Sequence, residues 1–559
     1  MNVVLTVASY LYLYSLGKAI IGIYKKGKYS KISISGIPVN YFYVIVSLFL
    51  IGNISLLLNY ILPLKNLIFF IIPVSISLII YDLIKHKKFN LSITKFFEII
   101  ITPSILSVST YNVWLGWDTG MYHIPHQYIL RESPIIFGLT NLNIWFGWSS
   151  IIEYISSNLW FNDNFIFLRI LEICIFALFF NILLFFLIQN KNKFYKYTAI
   201  GITLFSFLDN FGYKGGGNGF VPMLSVGKYD SALGIVFFIT CIAIFNSVRT
   251  NNYEFSNFYA LLMLSLFSLQ IKQTGAYLIF ILLPYLFIFI IKNQMKFLNL
   301  LKQLKLPLFL FAAWIVKNII TTSCLFYPIE FTCLPFLSWH ESIQLDFVSE
   351  TMIYPPISLN SNIPISEQAL IWFNFSKNSQ FIINFPVSLF LIFIFFYTLT
   401  FKNKNKNISN NINKNLIRWF WLFLLINFII WYNSNYGNFR YGTGLWLLFF
   451  AYIALIYSDR EIRKEVILTK VILFIFVLSL IQVPRFYSYE SFIASKMSLV
   501  EININYDDTE YFDSEYGWGV YPSSVQCWDK EDCKVKDKDV SPYEYFYTVI
   551  FYPDGVSGD

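Results

Sequence analysis

Long apolar runs, separated by short polar stretches rich in lysine and asparagine, dominate the chain as far as residue 483. A helix that crosses a bilayer needs about 20 mostly apolar residues. Fourteen runs approach that length and are the predicted spans: 3–23, 40–61, 66–84, 95–112, 164–189, 196–209, 231–248, 257–271, 274–292, 306–323, 383–401, 416–433, 441–457 and 466–483. The pattern predicts an all-α polytopic membrane protein.

Basic residues mark one side of this arrangement. Clusters of lysine and arginine follow alternate runs, starting with Lys25–Lys31 and ending with Arg460–Lys464. If all fourteen runs cross, these clusters share one side, which the positive-inside bias assigns to the cytoplasm. Both termini are then extracytoplasmic, and we expect the bacterial inner membrane. The first run lacks the basic start and cleavage site of a signal peptide.

Four long segments then face the outside. Three are loops within a transmembrane domain that spans 1–483, and the fourth is the C-terminal tail: 113–163, 210–230, 324–382 and 484–559. The tail holds 15 acidic and 6 basic residues, against 18 acidic and 35 basic residues in the rest of the chain. The net charge of +8 therefore conceals an acidic extracytoplasmic tail.

Composition supports a membrane protein and excludes other classes. Hydrophobic residues make up 56% of the chain and charged residues 13%, whereas soluble domains carry about 25% charged residues. Such a chain is too apolar to be disordered. Its scattered basic residues suit lipid headgroups rather than nucleic acid.

Four of the six cysteines form two local pairs in predicted outer segments. Cys324 and Cys333 share one loop, and Cys527 and Cys533 share the tail. Oxidising compartments favour disulfides, so two disulfides are expected. Zinc would need closer or histidine-assisted spacing, and no metal site is expected.

The first outer loop carries the densest polar chemistry, beginning with Asp118 directly after a predicted span. Two interpretations of Asp118 stay open. Asp118-Thr119-Gly120 is typical of a turn or helix cap. Alternatively, convergent titratable groups mark functional sites, and a carboxylate here would act as general base toward an acceptor hydroxyl.

Two of the four histidines, His123 and His126, lie in the same loop. Pro125 suits the first turn of a short surface helix that would also carry Gln127 and Arg131. The His-x-x-His spacing leaves three interpretations open: a metal ligand pair, a hydrogen-bonding contact to substrate or diphosphate, and plain surface histidines.

Other ionisable residues lie near the predicted outer ends of spans, where they are rare and usually functional. Glu153 lies on an apolar segment of the first outer loop. Lys272, Lys317 and Arg440 stand against the positive-inside bias, which makes them candidates for binding a lipid phosphate. Snorkelling is the alternative for the two lysines.

Two local ion pairs are also predicted. Lys228 and Asp230 lead into the seventh span and are expected to pair with each other. Arg169 and Glu172 are about one helical turn apart and are expected to do the same. Tryptophans accompany these charges in the outer segments: Trp114, Trp117, Trp145, Trp148, Trp160 and Trp339. Together these groups suit a substrate with a lipid tail, a phosphate and a sugar.

The position of Asp118 resembles that of the essential acid in C-type glycosyltransferases, the GT-C superfamily. The chain also resembles a family of bacterial multi-pass proteins of uncharacterised activity. The resemblance lies in Asp118-x-x-x-Tyr122-His123, Lys272, Tyr327-Pro328 and Cys527-Trp528-Asp529…Cys533. The resemblance implies a GT-C-like bundle of about fourteen helices with outer juxtamembrane helices. The chain departs from many C-type enzymes in two ways. Their acidic loop follows the first span, whereas three extra spans precede it here, and they carry paired acids, whereas Asp118 stands alone. No cofactor is implied, and dependence on a divalent metal stays open.

Three functional hypotheses follow. The first is transfer of a sugar from a polyprenyl-phosphate donor to a cell-envelope glycan or lipid, with Asp118 as base. Substrate-binding candidates are Tyr122, His123, His126, Arg131, Glu153, Lys272, Lys317 and Arg440. The second is an O-antigen or capsule polymerase or ligase that uses undecaprenyl-diphosphate glycans. The third is a transporter or flippase, which would need mid-membrane ionisable residues and inverted repeats.

Overall fold

The structure is a computed structural model of the 559-residue chain. It describes these residues: 1–24, 33–86, 92–113, 118–160, 164–210, 223, 226–294, 296–340, 380–401, 414–434, 439–458, 460, 462, 465–484, 486–496, 498, 541–545 and 548–552.

Helices account for nearly all regular structure in these ranges. The α-helices are α1 (Asn2–Tyr24), α2 (Tyr43–Asn59), α3 (Ile68–His86), α4 (Ile93–Phe96), α5 (Thr102–Ser107), α6 (Ile124–Glu132), α7 (Leu139–Leu142), α8 (Ile151–Ser156), α9 (Ile166–Ile188), α10 (Lys193–Asn210), α11 (Asp230–Arg249), α12 (Phe255–Ile271), α13 (Ile279–Asn293), α14 (Phe297–Gln303), α15 (Lys305–Thr322), α16 (Gln380–Phe401), α17 (Lys414–Ser434), α18 (Thr443–Tyr457), α19 (Glu465–Gln482) and α20 (Phe486–Ala494).

Shorter elements complete the backbone. Two π-helical segments lie at Phe97–Ile101 and Thr119–His123. The 3₁₀ segments are Val39–Phe42, Val108–Tyr111, Ile144–Trp148, Ser157–Leu159, Gln273–Leu278, Glu330–Thr332 and Phe439–Gly442. Two antiparallel hairpins pair β1 (Ser33–Ile34) with β2 (Ile37–Pro38), and β3 (Ser541–Tyr545) with β4 (Thr548–Tyr552).

Eleven helical segments of the described ranges are long and apolar enough to cross a membrane. This confirms a helical, multi-pass integral membrane protein. Helices α9 and α11 form its centre, because 94% of the residues in each apolar window are buried. In α3 only 11% of the residues in the apolar window are buried, as expected for a helix at the lipid-facing edge of a bundle.

The remaining three predicted spans are helices that are shorter or more polar: α10, α12 and α18. At least α12 extends from one end of the bundle toward the other. In α12, Asn257 accepts a hydrogen bond from the backbone N–H of Ser35, while Gln270 pairs with Asn53 of α2. The count of fourteen spans therefore stays a prediction, although helices occupy all fourteen segments.

Contacts between loops define the two ends of the bundle. The upper end comprises 118–160, 226–230, 272–278 and 323–340, and the lower end comprises 33–38, 192–196, 246–257, 460 and 465. The first described residues also lie at the upper end, because Asn2 donates to Thr110. Those described residues that belong to predicted extracytoplasmic loops 113–163, 210–230 and 324–382 thus lie at one end, and those of the predicted cytoplasmic loops named above lie at the other.

Candidate active site

The first outer loop folds as a continuous helical run at the upper end. Asp118 lies directly before the π-helical segment Thr119–His123, which leads into α6. Pro125 is the second residue of α6, where its missing N–H costs nothing. This confirms the predicted short helix that carries His126, Gln127 and Arg131.

Glu153 holds both histidines of this run. The Nδ1 atom of His123 lies 2.7 Å from Oε1 of Glu153, and the Nδ1 atom of His126 lies 2.7 Å from Oε2. Ser150 and Glu153 form a capping box at the start of α8, so the carboxylate also accepts the Ser150 N–H. Glu153 is 1% exposed, which makes the cluster an internal clamp rather than a surface feature.

Electrostatics keep the Glu153 carboxyl ionised. Burial alone would raise the pKa of Glu153, but the charges and hydrogen bonds of His123 and His126 lower it to about 2. A carboxylate can only accept hydrogen bonds, so each Nδ1 carries a proton. In a neutral ring the Nε2 atom is then left as an acceptor. The clamp therefore commits the Nδ1 atom of each histidine to Glu153, so only Nε2 remains for other contacts.

Acidification should release this clamp. A carboxyl whose pKa is lower in the folded than in the unfolded state stabilises the fold above the unfolded value, about 4.3 for Glu. That stabilisation is lost as the pH falls from about 4 toward the folded pKa of about 2. We expect hydrogen exchange in 119–132, after correction for intrinsic rates, to accelerate below pH 4 and not above it. Acceleration between pH 7 and pH 5 would contradict this assignment.

Asp118 forms an ion pair with Lys228, with 2.8 Å between Oδ2 and Nζ. Its side chain is 22% exposed and makes no helix-capping hydrogen bond. Asp118 is thus the N-cap residue of the segment by position, and its side chain pairs with Lys228 rather than with the helix backbone. The predicted pairing of Lys228 with Asp230 is wrong, because each residue pairs with a more distant partner: Lys228 with Asp118, and Asp230 with Lys272.

The segment 226–230 packs closely on the Asp118 run. Thr119 donates its hydroxyl hydrogen to the carbonyl oxygen of Val226. Gly227 has a φ of +91°, and a Cβ there would approach the Cβ of His123 to 2.7 Å. Glycine is therefore required both by the backbone conformation and by the close approach.

Gly227→Ala should destabilise this contact. We expect a cost of about 1–2 kcal/mol for the left-handed backbone and about 1–3 kcal/mol for the overpacking, measured as a lower melting temperature in detergent. Gly36→Ala is the matched control. Gly36 has a similar φ of +85°, but a Cβ there meets its nearest neighbour only at 3.8 Å. Equal losses for the two variants would show that the His123 contact contributes nothing.

Tyr229 joins the clamp to the second ion pair. Its ring lies 5.5 Å from the His123 ring, centroid to centroid, and its hydroxyl accepts from Gln127 at 3.4 Å. Burial, followed by the Glu153 charge, raises the pKa of Tyr229 well above its usual value. Tyr229 therefore stays neutral between the charged residues on either side of it.

Lys272 lies at the upper end of α12. Its ammonium pairs with Asp230, the first residue of α11, and lies 4.2 Å from the centre of the Tyr441 ring. A cavity of about 30 Å³ lies beside it, lined in part by Thr274, Asn427 and Tyr441. This contact with the bundle replaces the snorkelling interpretation.

Lys317 and Arg131 hold the loop rather than face solvent. Lys317 is 1% exposed, donates to the Ser149 hydroxyl and lies 4.1 Å from the Trp314 ring centre. Arg131 donates to the Ser157 carbonyl oxygen at 2.6 Å and lies over the Trp160 ring. Both contacts fix the segment that carries Glu153. For Arg440, the backbone lies in the 3₁₀ segment Phe439–Gly442, and its side chain lies outside the described atoms.

Aromatic rings line the loop beside Asp118. Tyr122 stacks on Trp145, Trp145 contacts Trp148, and Trp148 contacts Tyr327 edge-on. Tyr327 lies in the turn closed by the disulfide Cys324–Cys333, which confirms the first predicted disulfide. The predicted pair Cys527–Cys533 lies outside the described residues, as do Trp114 and Trp117.

Most candidates from the sequence therefore meet in one region. Those placed by described side chains are Asp118, Tyr122, His123, His126, Arg131, Glu153, Lys272 and Lys317. In the described ranges, no group of three His, Cys, Asp or Glu side chains is arranged to hold a metal ion.

The predicted Arg169–Glu172 pair is confirmed. Ser149, Lys228 and Tyr229 were not predicted as parts of the site.

One family model, described as Domain of unknown function (DUF8201), matches residues 1–447. The match covers the upper-end residues described above and excludes the acidic tail. No curated protein and no solved structure matches the chain. The chain therefore belongs to the DUF8201 family.

Proposed function

We propose that this protein is a membrane glycosyltransferase of the C type, which transfers a sugar from a polyprenyl-phosphate donor to a cell-envelope glycan or lipid. The observation that carries the proposal is the tripeptide 228–230. Its first residue pairs with the partly exposed carboxylate Asp118 and its third with the cation Lys272, so the tripeptide links these two groups at one end of the bundle. A base and a phosphate-binding cation at the end of the spans are what a lipid-phosphate donor requires.

In the proposed reaction, Asp118 takes the proton from an acceptor hydroxyl. The acceptor oxygen forms a bond to the anomeric carbon of the sugar as the bond from that carbon to the phosphate oxygen breaks. The polyprenyl phosphate leaves with the electron pair, and its charge is balanced by Lys272 and, in this proposal, by Arg440. Lys228 holds the Asp118 side chain in place before the acceptor arrives.

The neighbouring side chains supply binding and position. Stacked rings of Tyr122, Trp145 and Trp148 offer faces on which a sugar can stack. Lys317 already donates a hydrogen bond to Ser149, and Arg131 donates one to Ser157. We therefore assign these two residues to positioning the loop rather than to binding the donor. The histidine clamp likewise holds the helix that presents Asp118.

The finer topology also belongs to this proposal. Fourteen spans would place the upper end outside the bacterial inner membrane and the lower end in the cytoplasm. The distribution of basic residues supports this orientation. Lys196, Arg249 and Arg460 all lie toward the lower end, where they contact Glu465, Asn192 and Thr400, respectively.

Inactivation of the gene in its host tests the proposal. We expect mass spectrometry of envelope glycans to show the loss of one sugar, together with accumulation of a polyprenyl-phosphate sugar. Loss of long chains with single repeat units retained would instead indicate a polymerase or ligase. Unchanged glycans and unchanged lipid-linked sugars would contradict glycosyl transfer and favour transport of another substrate.

A further inference from the structure

A second cluster of polar side chains surrounds a small cavity in the lower half of the bundle, away from the candidate active site. It lies between α1, the 3₁₀ segment Val39–Phe42, the π-helical segment Phe97–Ile101 and α9. Its oxygen-bearing lining residues are Tyr10, Tyr14, Asn40, Tyr41, Glu98 and Asn181. The cavity has a volume of about 10 Å³, which is near the lower limit for one water molecule or one ion of similar size.

Glu98 brings a carboxyl group into this apolar setting. It is 6% exposed and lies in the π-helical segment, a type of irregularity that is frequent at functional sites. Tyr41 donates its hydroxyl hydrogen to one carboxyl oxygen. No lysine, arginine or histidine of the described ranges forms an ion pair with Glu98.

Two other buried carboxylates of the bundle are balanced by lysines. Asp82 of α3 lies 3.2 Å from the ammonium of Lys18, and Asp230 pairs with Lys272. A buried carboxylate without such a partner must gain a proton or another positive charge. Lys95, one helical turn earlier, acts on Glu98 by charge without forming an ion pair, so no described cation contacts the buried Glu98 carboxyl.

Asn181 provides an unused acceptor at the same cavity. Its Nδ2 donates to the carbonyl oxygen of Glu98 at 2.8 Å and to the Tyr10 hydroxyl at 2.9 Å. Because a carbonyl can only accept, the orientation of the amide is determined. Its Oδ1 has no hydrogen-bond partner, although the residue is only 2% exposed.

We propose that this cavity binds one sodium ion. The ligands would be a Glu98 carboxylate oxygen, Asn181 Oδ1 and the neighbouring tyrosine hydroxyl oxygens, which are the hard oxygen donors that such cations prefer. One carboxylate balances one positive charge, whereas a divalent ion would leave a net charge in an apolar interior. The small volume favours sodium over the larger potassium ion.

Bound sodium would join four helical segments and stabilise only the folded protein. We expect purified protein in detergent to bind radioactive sodium at about one ion per chain, with displacement by unlabelled sodium and not by N-methylglucamine. Its melting temperature should rise when sodium chloride replaces N-methylglucamine chloride at constant ionic strength. These two measurements need no variant, so they test the site even if substitutions impair folding.

Glu98→Gln and Asp82→Asn form the matched pair of variants. Glu98→Gln keeps an oxygen for the Tyr41 hydrogen bond but removes the charge, so sodium affinity should fall at least tenfold. Asp82→Asn removes a buried carboxylate that already faces Lys18, so sodium binding should stay at the wild-type level. Absence of bound sodium in the wild type would overturn the proposal and assign a proton or a water molecule to Glu98. Binding that survives Glu98→Gln would also overturn it.

Discussion

Asp118→Asn should lower sugar transfer by about 10²–10⁴-fold, the range associated with loss of a general base. The amide has the same shape as the carboxylate but cannot take a proton from the acceptor hydroxyl. It can still face Lys228, so the contact between the two loops should persist. The measurement is incorporation of sugar into envelope glycan by host membranes that contain equal amounts of wild-type or variant protein.

Glu132→Gln is the control for this experiment. Glu132 ends α6 in the same loop and pairs with Lys65 at 2.8 Å on a more exposed surface. Its substitution removes one carboxylate from the loop without touching the Asp118–Lys228 pair, so transfer should stay near the wild-type rate. Wild-type transfer by a well-folded Asp118→Asn protein would rule out Asp118 as the base.

Glu153→Ala should be the most destabilising single substitution at the upper end. Removing one partner of a buried charged cluster costs about 3–5 kcal/mol, and here two histidine N–H groups lose their acceptor together with the helix cap. We expect a large fall in melting temperature in detergent and faster proteolysis within 119–132. Both readouts are independent of any sugar-transfer assay.

Two further variants show whether the stability lost in Glu153→Ala comes from the hydrogen bonds to the histidines or from the loss of a negative charge alone. Glu153→Gln should cost less than Glu153→Ala, because the amide oxygen accepts from one histidine while the amide nitrogen can donate to the other ring in its second tautomer. Glu132→Ala, at an exposed ion pair, should cost at most about 1 kcal/mol. A Glu153→Ala protein as stable as the Glu132→Ala protein would show that the clamp does not hold the loop.

The helices could be predicted because their signal is local. Each of the fourteen apolar runs lies on a described helix, since roughly 20 apolar residues must satisfy their own backbone inside a bilayer. The irregular hydrogen bonding of Phe97–Ile101 had no such signal. A π-helical turn depends on how the helix packs, and apolar periodicity does not encode it.

The site was only partly predictable because its key contacts join distant parts of the chain. Lys228 was assigned to Asp230, two residues away, but it pairs with Asp118 across two loops. The short helix that carries Glu153 was predictable, since Ser150-x-x-Glu153 is a capping-box pattern. What no pattern could show is that both oxygens of this capping carboxylate also face histidines.

The consecutive positions of Lys228, Tyr229 and Asp230 have a thermodynamic consequence. A phosphate that approaches Lys272 competes with Asp230, and its negative charge lies near the segment that also holds Lys228 against Asp118. Added negative charge makes a nearby carboxylate more basic. Linkage is reciprocal, so protonation of Asp118 would strengthen binding of the proposed phosphate donor by the same factor. In the proposed reaction, donor binding and proton acceptance would then be cooperative, which would favour binding of the donor before the acceptor.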